Sequence, residues 1–150
     1  MTTDTRYAYL HGFGSGSRSF KGVALQKILA DRGVTLELPD LNAPSFAKLT
    51  YTSALAHLDA LDEGFSGQWR FIGSSMGGYL AARWAELRPD RVDRMILLCP
   101  GFGLTKRWNT LLGAEAMTRW RAYGALTFPD QDGVPTELWW RFIEDALTHP

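Results

Sequence analysis

The sequence is poor in several features that would assign it to a class at once. Its lone cysteine, Cys99, excludes an internal disulfide among the 150 residues. No apolar run approaches the roughly 20 residues of a membrane span, so a membrane-embedded chain is excluded. Charge of one sign is not in excess: sixteen basic and sixteen acidic side chains cancel, which leaves no net field to gather nucleic acid or anionic lipid. The opening residues Met1, Thr2, Thr3 and Asp4 lack the basic-then-apolar pattern of a secretory leader, and a cytoplasmic location is expected. Internal repeats and low-complexity tracts are absent too. What remains is ordinary for a globular domain, with 45% apolar and 21% charged residues. The length suits one domain, since domains most often run to about 100–150 residues.

Along the chain, short apolar runs alternate with helical patterns. Tyr7, Ala8, Tyr9 and Leu10 form a run stopped by the Gly-rich stretch 11–16, which predicts a buried strand and a loop. Phe20, Ala24, Leu25, Ile28 and Leu29 recur at helical spacing, and Gly33 stands where a left-handed cap would end that helix. Residues 34–38 alternate as a second strand. Leu55, Leu58 and Leu61 mark a second helix, 69–72 a third strand, 76–87 a third helix and 94–99 a fourth strand. This order predicts a mostly parallel sheet with helices on both faces. From residue 102 to 150 the texture changes: Trp108, Trp120, Trp139 and Trp140 fall among Gly and Pro breaks, as in a cap-like helical segment. Trp139, Phe142, Ile143, Ala146 and Leu147 read as one helical stripe, with core packing expected of the aromatics.

The chemistry concentrates in Gly73-Ser74-Ser75-Met76-Gly77, a G-x-S-x-G pattern between the third strand and the third helix. Five letters alone are a weak motif; the strand-turn-helix setting makes them strong. In such an elbow the Ser sits on a sharp turn that lifts its hydroxyl above the sheet. Strand and helix then approach so closely that only small residues fit two positions to either side, a demand that Gly73 and Gly77 meet. Ser75 is thus the candidate nucleophile. The N–H of Met76, at a helix N-terminus, is a candidate oxyanion donor. A second donor is expected from the loop after the first strand, where Gly12 allows a close backbone approach and the N–H of Phe13 is the candidate. His11 reads as a structural residue at the strand end, and His57 as a surface residue in mid-helix. Neither Gly-rich loop has a nucleotide-binding pattern.

Tyr9 through Ser15, Ser19 and Lys21, Leu38 through Leu41, Ile72 through Ala81 and Leu98 through Gly103 together resemble the YqiA-like small esterases of the α/β-hydrolase superfamily. The similarity covers nearly the whole chain. It implies a three-layer α/β-hydrolase fold and a Ser-His-Asp hydrolase of carboxylic esters or thioesters, working without metal or organic cofactor on a small-molecule substrate. In that family the acid and the His follow Ser along the chain, beyond the cap. His149 is the only His after Ser75, and with no strand or loop to hold it a catalytic use is not expected. Asp40, Asp90, Asp93, Asp130, Asp132 and Asp145 read as turn, cap or solvated positions. The expectation is therefore a single domain over 1–150 that lacks the C-terminal strands carrying the acid and the base. Its alternative role is a binding or interaction module that keeps the pocket without the chemistry. In such a chain Met95, Ile96, Leu97 and Leu98 would form an unpaired apolar edge strand, a template for association with another chain.

Overall fold

In the computed structural model, which describes residues 4–150, six helices and six strands follow one another. Met1, Thr2 and Thr3, on which the leader expectation bears, lie outside the described residues. The first half alternates: β1 (Thr5–Leu10), α1 (Phe20–Ala30), β2 (Leu36–Glu37), α2 (Tyr51–Asp62), β3 (Gln68–Ser74), α3 (Met76–Leu87) and β4 (Val92–Leu98). These strands make one parallel sheet in the order β2-β1-β3-β4. Crossing helices are what a parallel sheet of successive strands requires.

Alternation along β1 and β3 divides the two faces. Ala8, Leu10, Trp69 and Phe71 join the core beneath α2 and α3, where Trp84 packs edge-on to Phe71. Tyr7, Tyr9, Arg70 and Ile72 face the opposite side, and Gly22 of α1 lies so close to the Tyr9 ring that a Cβ there would sit 2.8 Å from it. Caps set the helix starts: the Ser19 hydroxyl accepts from Gly22 N–H, while Thr50 and Ser53 form a reciprocal capping box on α2. At the other end of α1, Gly33 has φ 74° and its N–H returns to Ala30, so the expected left-handed cap is present.

β4 pairs only with β3 among the described residues, and Met95 and Ile96 are exposed along it, Ile96 by 58%. Its entry is anchored: Arg91 grips Asp62 and the Phe65 carbonyl, and Asp62 also accepts from Trp69 Nε1. Its exit, Cys99, is exposed.

The remaining third is not wholly helical, contrary to the sequence reading. After α4 (Leu104–Leu112) and α5 (Ala114–Tyr123) the chain forms an antiparallel hairpin of β5 (Ala125–Pro129) and β6 (Pro135–Trp139), then α6 (Arg141–Ala146). Trp139 therefore lies in a strand and is 45% exposed, while Phe142, Ile143 and Ala146 are buried and Leu147 is exposed. Cross-strand pairing from Ala125↔Trp139 to Pro129↔Pro135 overrides the helical spacing. The other aromatics do pack. Trp108, Trp120, Phe128 and Phe142 meet in one cluster, and Phe13 from the loop after β1 inserts among them with ring centroids 5.2–5.4 Å from Trp108, Phe128 and Phe142. No helix among the described residues is long and apolar enough to cross a membrane.

Candidate active site

The turn from β3 into α3 has the geometry its sequence requires. Ser75 takes φ 52° and ψ −118°, a conformation that a side-chain-bearing residue adopts only under constraint. The constraint is mutual crowding of backbones. A Cβ on Gly73 would lie 2.6 Å from the Gly77 carbonyl, and one on Gly77 would strike the carbonyls of Leu10 and His11. Strand, helix and the end of β1 thus touch with no room for side chains. Hydrogen bonds fix the turn from both sides: Ser75 N–H donates to Leu98 O at the end of β4, and Ser75 O accepts from Gly101, Gly78 and Tyr79.

Gly12 abuts this turn. A Cβ at Gly12 would be 3.3 Å from Ser75 Cβ and 3.9 Å from its hydroxyl, so the loop after β1 runs directly beside the serine. His11, fully buried, holds that loop. Its Nε2 accepts from Leu41 N–H at 2.8 Å and lies 3.4 Å from Asp40 Oδ1, and Nδ1 donates to Gly12 O at 2.9 Å. Ser15 N–H donates to the same carbonyl. Because a trans peptide points its C=O and N–H in opposite directions, fixing Gly12 O turns the Phe13 N–H the other way. Neither Phe13 N–H nor Met76 N–H has a hydrogen-bond partner among the described residues. Hydrogen bonding thus adds a definite job for the His11 ring that composition alone does not reveal.

Further neighbours complete the setting. Gly101 packs on Met76 N and the Ser75 carbonyl, and Gly78 on Pro100; the Gly-x-Gly after β4 was a visible signal for this approach. Lys21 Nζ donates to the buried Ser74 hydroxyl at 3.3 Å. The β5–β6 turn clamps the outer part of the first loop through the ion pair of Arg18 with Asp132 and the closeness of Gln131 to Gly16.

None of the three histidine rings hydrogen-bonds to Ser75 among the described residues. His57 is half-buried in α2. His149, expected to be unsupported, is in fact held at the end of the chain. Its Nε2 lies 3.1 Å from Thr52 Oγ1 and 3.5 Å from the Asp145 carboxylate, and its ring packs on Tyr51. Asp145 accepts from both the Thr52 N–H and hydroxyl and so caps α2. The other carboxylates serve turns and ion pairs: Asp130 accepts from Asp132 and Val134 N–H, Asp93 pairs with Arg70, Asp40 accepts from Asn42 N–H, and Asp90 lies in the single turn before β4. No group of three or more His, Cys, Asp or Glu that could hold a metal ion occurs among the described residues.

Comparison with known proteins agrees with this architecture. Residues 6–132 match the uncharacterised protein family UPF0227. Abhydrolase domain-containing protein abhd-5.2 of Caenorhabditis elegans is 31% identical over 101 residues, which cover 61% of this chain and 22% of that one. Among solved structures, alpha/beta hydrolase domain-containing protein 10 from mouse superposes with a TM-score of 0.68 at 21% identity, covering 99% of this chain and 63% of that chain. Est1E from Butyrivibrio proteoclasticus gives 0.65 at 20% identity, covering 100% and 61%. The chain thus spans under two thirds of each of these three proteins. The matched residues, with the parallel sheet and the sharp turn at Ser75, make this chain a member of the UPF0227 family with an α/β-hydrolase fold.

Proposed function

We propose that the protein is a serine hydrolase acting on carboxylic esters or thioesters, with Ser75 as nucleophile and the N–H groups of Phe13 and Met76 as oxyanion donors. The observation that carries this reading is the constrained positive φ of Ser75 inside a cage of glycines. Strain of this kind persists only where the surroundings impose it, and an elbow is the turn in which it lifts a hydroxyl toward a reactant. Support also comes from relatives, since Est1E and the monoacylglycerol lipase of Paleococcus ferrophilus share the fold. In the proposed acylation Ser75 Oγ attacks the carbonyl carbon and the carbonyl oxygen takes up the negative charge between the two amides; the bond to the leaving oxygen or sulfur then breaks, the hydroxyl proton of Ser75 ends on the departing alcohol or thiol, and water later cleaves the acyl-serine to acid and free Ser75. A small ester or thioester is the partner required, and no cofactor enters the step.

A second reading, a binding module on a hydrolase fold, is favoured by the commitment of all buried histidine contacts elsewhere: His11 to Leu41 and Gly12, His149 to Thr52 and Asp145. A fluorophosphonate probe separates the two. Labelling of the wild-type chain that disappears in Ser75→Ala is the expected result; a chain that is never labelled is a binding module. Self-association along the exposed β4 edge is a further part of the proposal, checked by gel filtration over a concentration series.

A further inference from the structure

Beyond the elbow, the loop after β1 meets a second support. From Phe13 to Arg18 it lies against residues 128–132 of the β5–β6 hairpin, and the contacts advance in step along both segments. The Phe13 ring meets Phe128 edge-on, with centroids 5.3 Å apart. A Cβ on Gly14 would lie 3.6 Å from the Pro129 carbonyl oxygen, and one on Gly16 would strike the side-chain amide of Gln131. At the outer end Arg18 Nη2 donates to both carboxylate oxygens of Asp132, at 2.5 and 2.7 Å. The two segments thus run side by side in the same direction, and no backbone hydrogen bond joins them among the described residues. Side-chain contacts rather than strand pairing hold this seam.

Its two ends differ in character. At the inner end Phe13 and Phe128 both pack on Trp108, a contact driven by apolar burial. At the outer end the Arg18 and Asp132 side chains are 67% and 55% exposed, so their attraction is modest and screened by salt. The turn that carries Asp132 is braced within itself: the Asp130 carboxylate accepts from the N–H groups of Asp132 and Val134, and Asp130 N–H donates to Val134 O. Those bonds leave the Asp132 carboxylate to Arg18. The loop is also tied elsewhere, since Asn42 Nδ2 donates to Ser15 O at 2.7 Å and Ser15 N–H donates to Gly12 O at 3.2 Å. Ser15, flanked by the contacts at Gly14 and Gly16, therefore links the hairpin to the Gly12–Phe13 peptide.

We propose that Asp132 is a positioning residue: by gripping Arg18 it seats the hairpin on the loop 13–18 and so sets the Gly12–Phe13 peptide. This rests on the hydrolase reading only in taking that peptide's N–H as an oxyanion donor; the seating of the loop stands without it. Gly16 lacks a side chain because Gln131 fills the space, a reason separate from backbone freedom.

The test compares wild type, Asp132→Ala and the charge exchange Arg18→Asp/Asp132→Arg in two measurements. Amide hydrogen exchange at Ser15, whose N–H bonds to Gly12 O, reports the seating of the loop. The rate of fluorophosphonate labelling reports the oxyanion donors. In Asp132→Ala exchange at Ser15 should quicken and labelling should slow, each by about threefold, the scale of one exposed ion pair. The charge exchange should restore both. Raising sodium chloride should move the wild type toward Asp132→Ala and leave that variant where it is. Unchanged exchange at Ser15 in Asp132→Ala, or no recovery in the charge exchange, would overturn the proposal, and so would faster exchange with unaltered labelling. A wild type that is never labelled, with exchange at Ser15 still governed by the ion pair, would support the seating and count against the hydrolase reading alone.

Discussion

Two side-chain-bearing residues among those described have positive φ, Ser75 at 52° and Cys99 at 45°, and they follow the ends of adjacent parallel strands. Their surroundings differ sharply. Ser75 is packed against by Gly12 and Gly101, sits on a turn closed by the approach of Gly73 to Gly77, and is held by four hydrogen bonds, to Leu98, Gly78, Tyr79 and Gly101. Cys99 stands exposed, followed by the loop that delivers Gly101 to the elbow. An unusual dihedral is therefore no sign of chemistry by itself. At Ser75 the conformation is imposed by the crowded backbones around the turn; at Cys99 the chain turns toward the loop from which Gly101 N–H reaches Ser75 O at 2.7 Å.

This contrast can be broken most forcefully at Gly77. Gly77→Ala drives a methyl into the carbonyls of Leu10 and His11, and urea unfolding should show a loss of about 3 kcal/mol or more. Gly101→Ala meets its nearest atoms at 3.3 Å and should cost only about 1 kcal/mol by the same measurement. Next in size is His11→Ala. It removes the ring's hydrogen bond to the Gly12 carbonyl and leaves the buried Leu41 N–H without its acceptor, so stability should drop by about 2 kcal/mol. Ester hydrolysis should fall by about 10²-fold, the low end of what one misplaced oxyanion donor costs.

The anchored entry of β4 is the third place to probe. Burial pushes the Asp62 carboxyl up, but hydrogen bonds from Arg91 and Trp69 outweigh it and hold the group below its ordinary value. The stabilisation is then complete above the ordinary carboxylate value of about 4 and is lost as pH falls through the lower folded value. Asp62→Asn should cost about 1–2 kcal/mol at neutral pH, with the gap to wild type closing in acid as thermal melts are run downward from pH 4. The smallest effect is also the most diagnostic. Cys99→Gly should stabilise the fold by about 1 kcal/mol, because glycine adopts positive φ freely. Ser75→Gly should gain a similar amount while abolishing fluorophosphonate labelling. Equal gains at the two positions would mean that strain is shared and only the hydroxyl differs.

Much of this was legible in the sequence, and the limits have physical causes. The order of elements through β4 follows from apolar runs and caps, and α3 spans the residues its periodicity predicts. Gly73 and Gly77 announce the tight approach because no other residue would survive there. The β5–β6 hairpin was hidden, since residues 138–147 carry apolar side chains at helical spacing and only pairing across to 125–129 puts Leu138 and Trp139 in a strand. His149 was misjudged for a related reason: its supports, Thr52 and Asp145, come from two helices, one of them nearly a hundred positions away. The contact of Tyr51 with Tyr79 was equally silent, because their rings meet only after α2 and α3 pack.

Phe13 joins two jobs in one residue. Its amide is the proposed second oxyanion donor, while its ring is the plug around which Trp108, Phe128 and Phe142 assemble. Any redesign of the overlying segment, whether for a bulkier substrate or for heat tolerance, is therefore also a redesign around the proposed oxyanion donor. Engineers who swap lids on this scaffold should transplant the plug together with its seat.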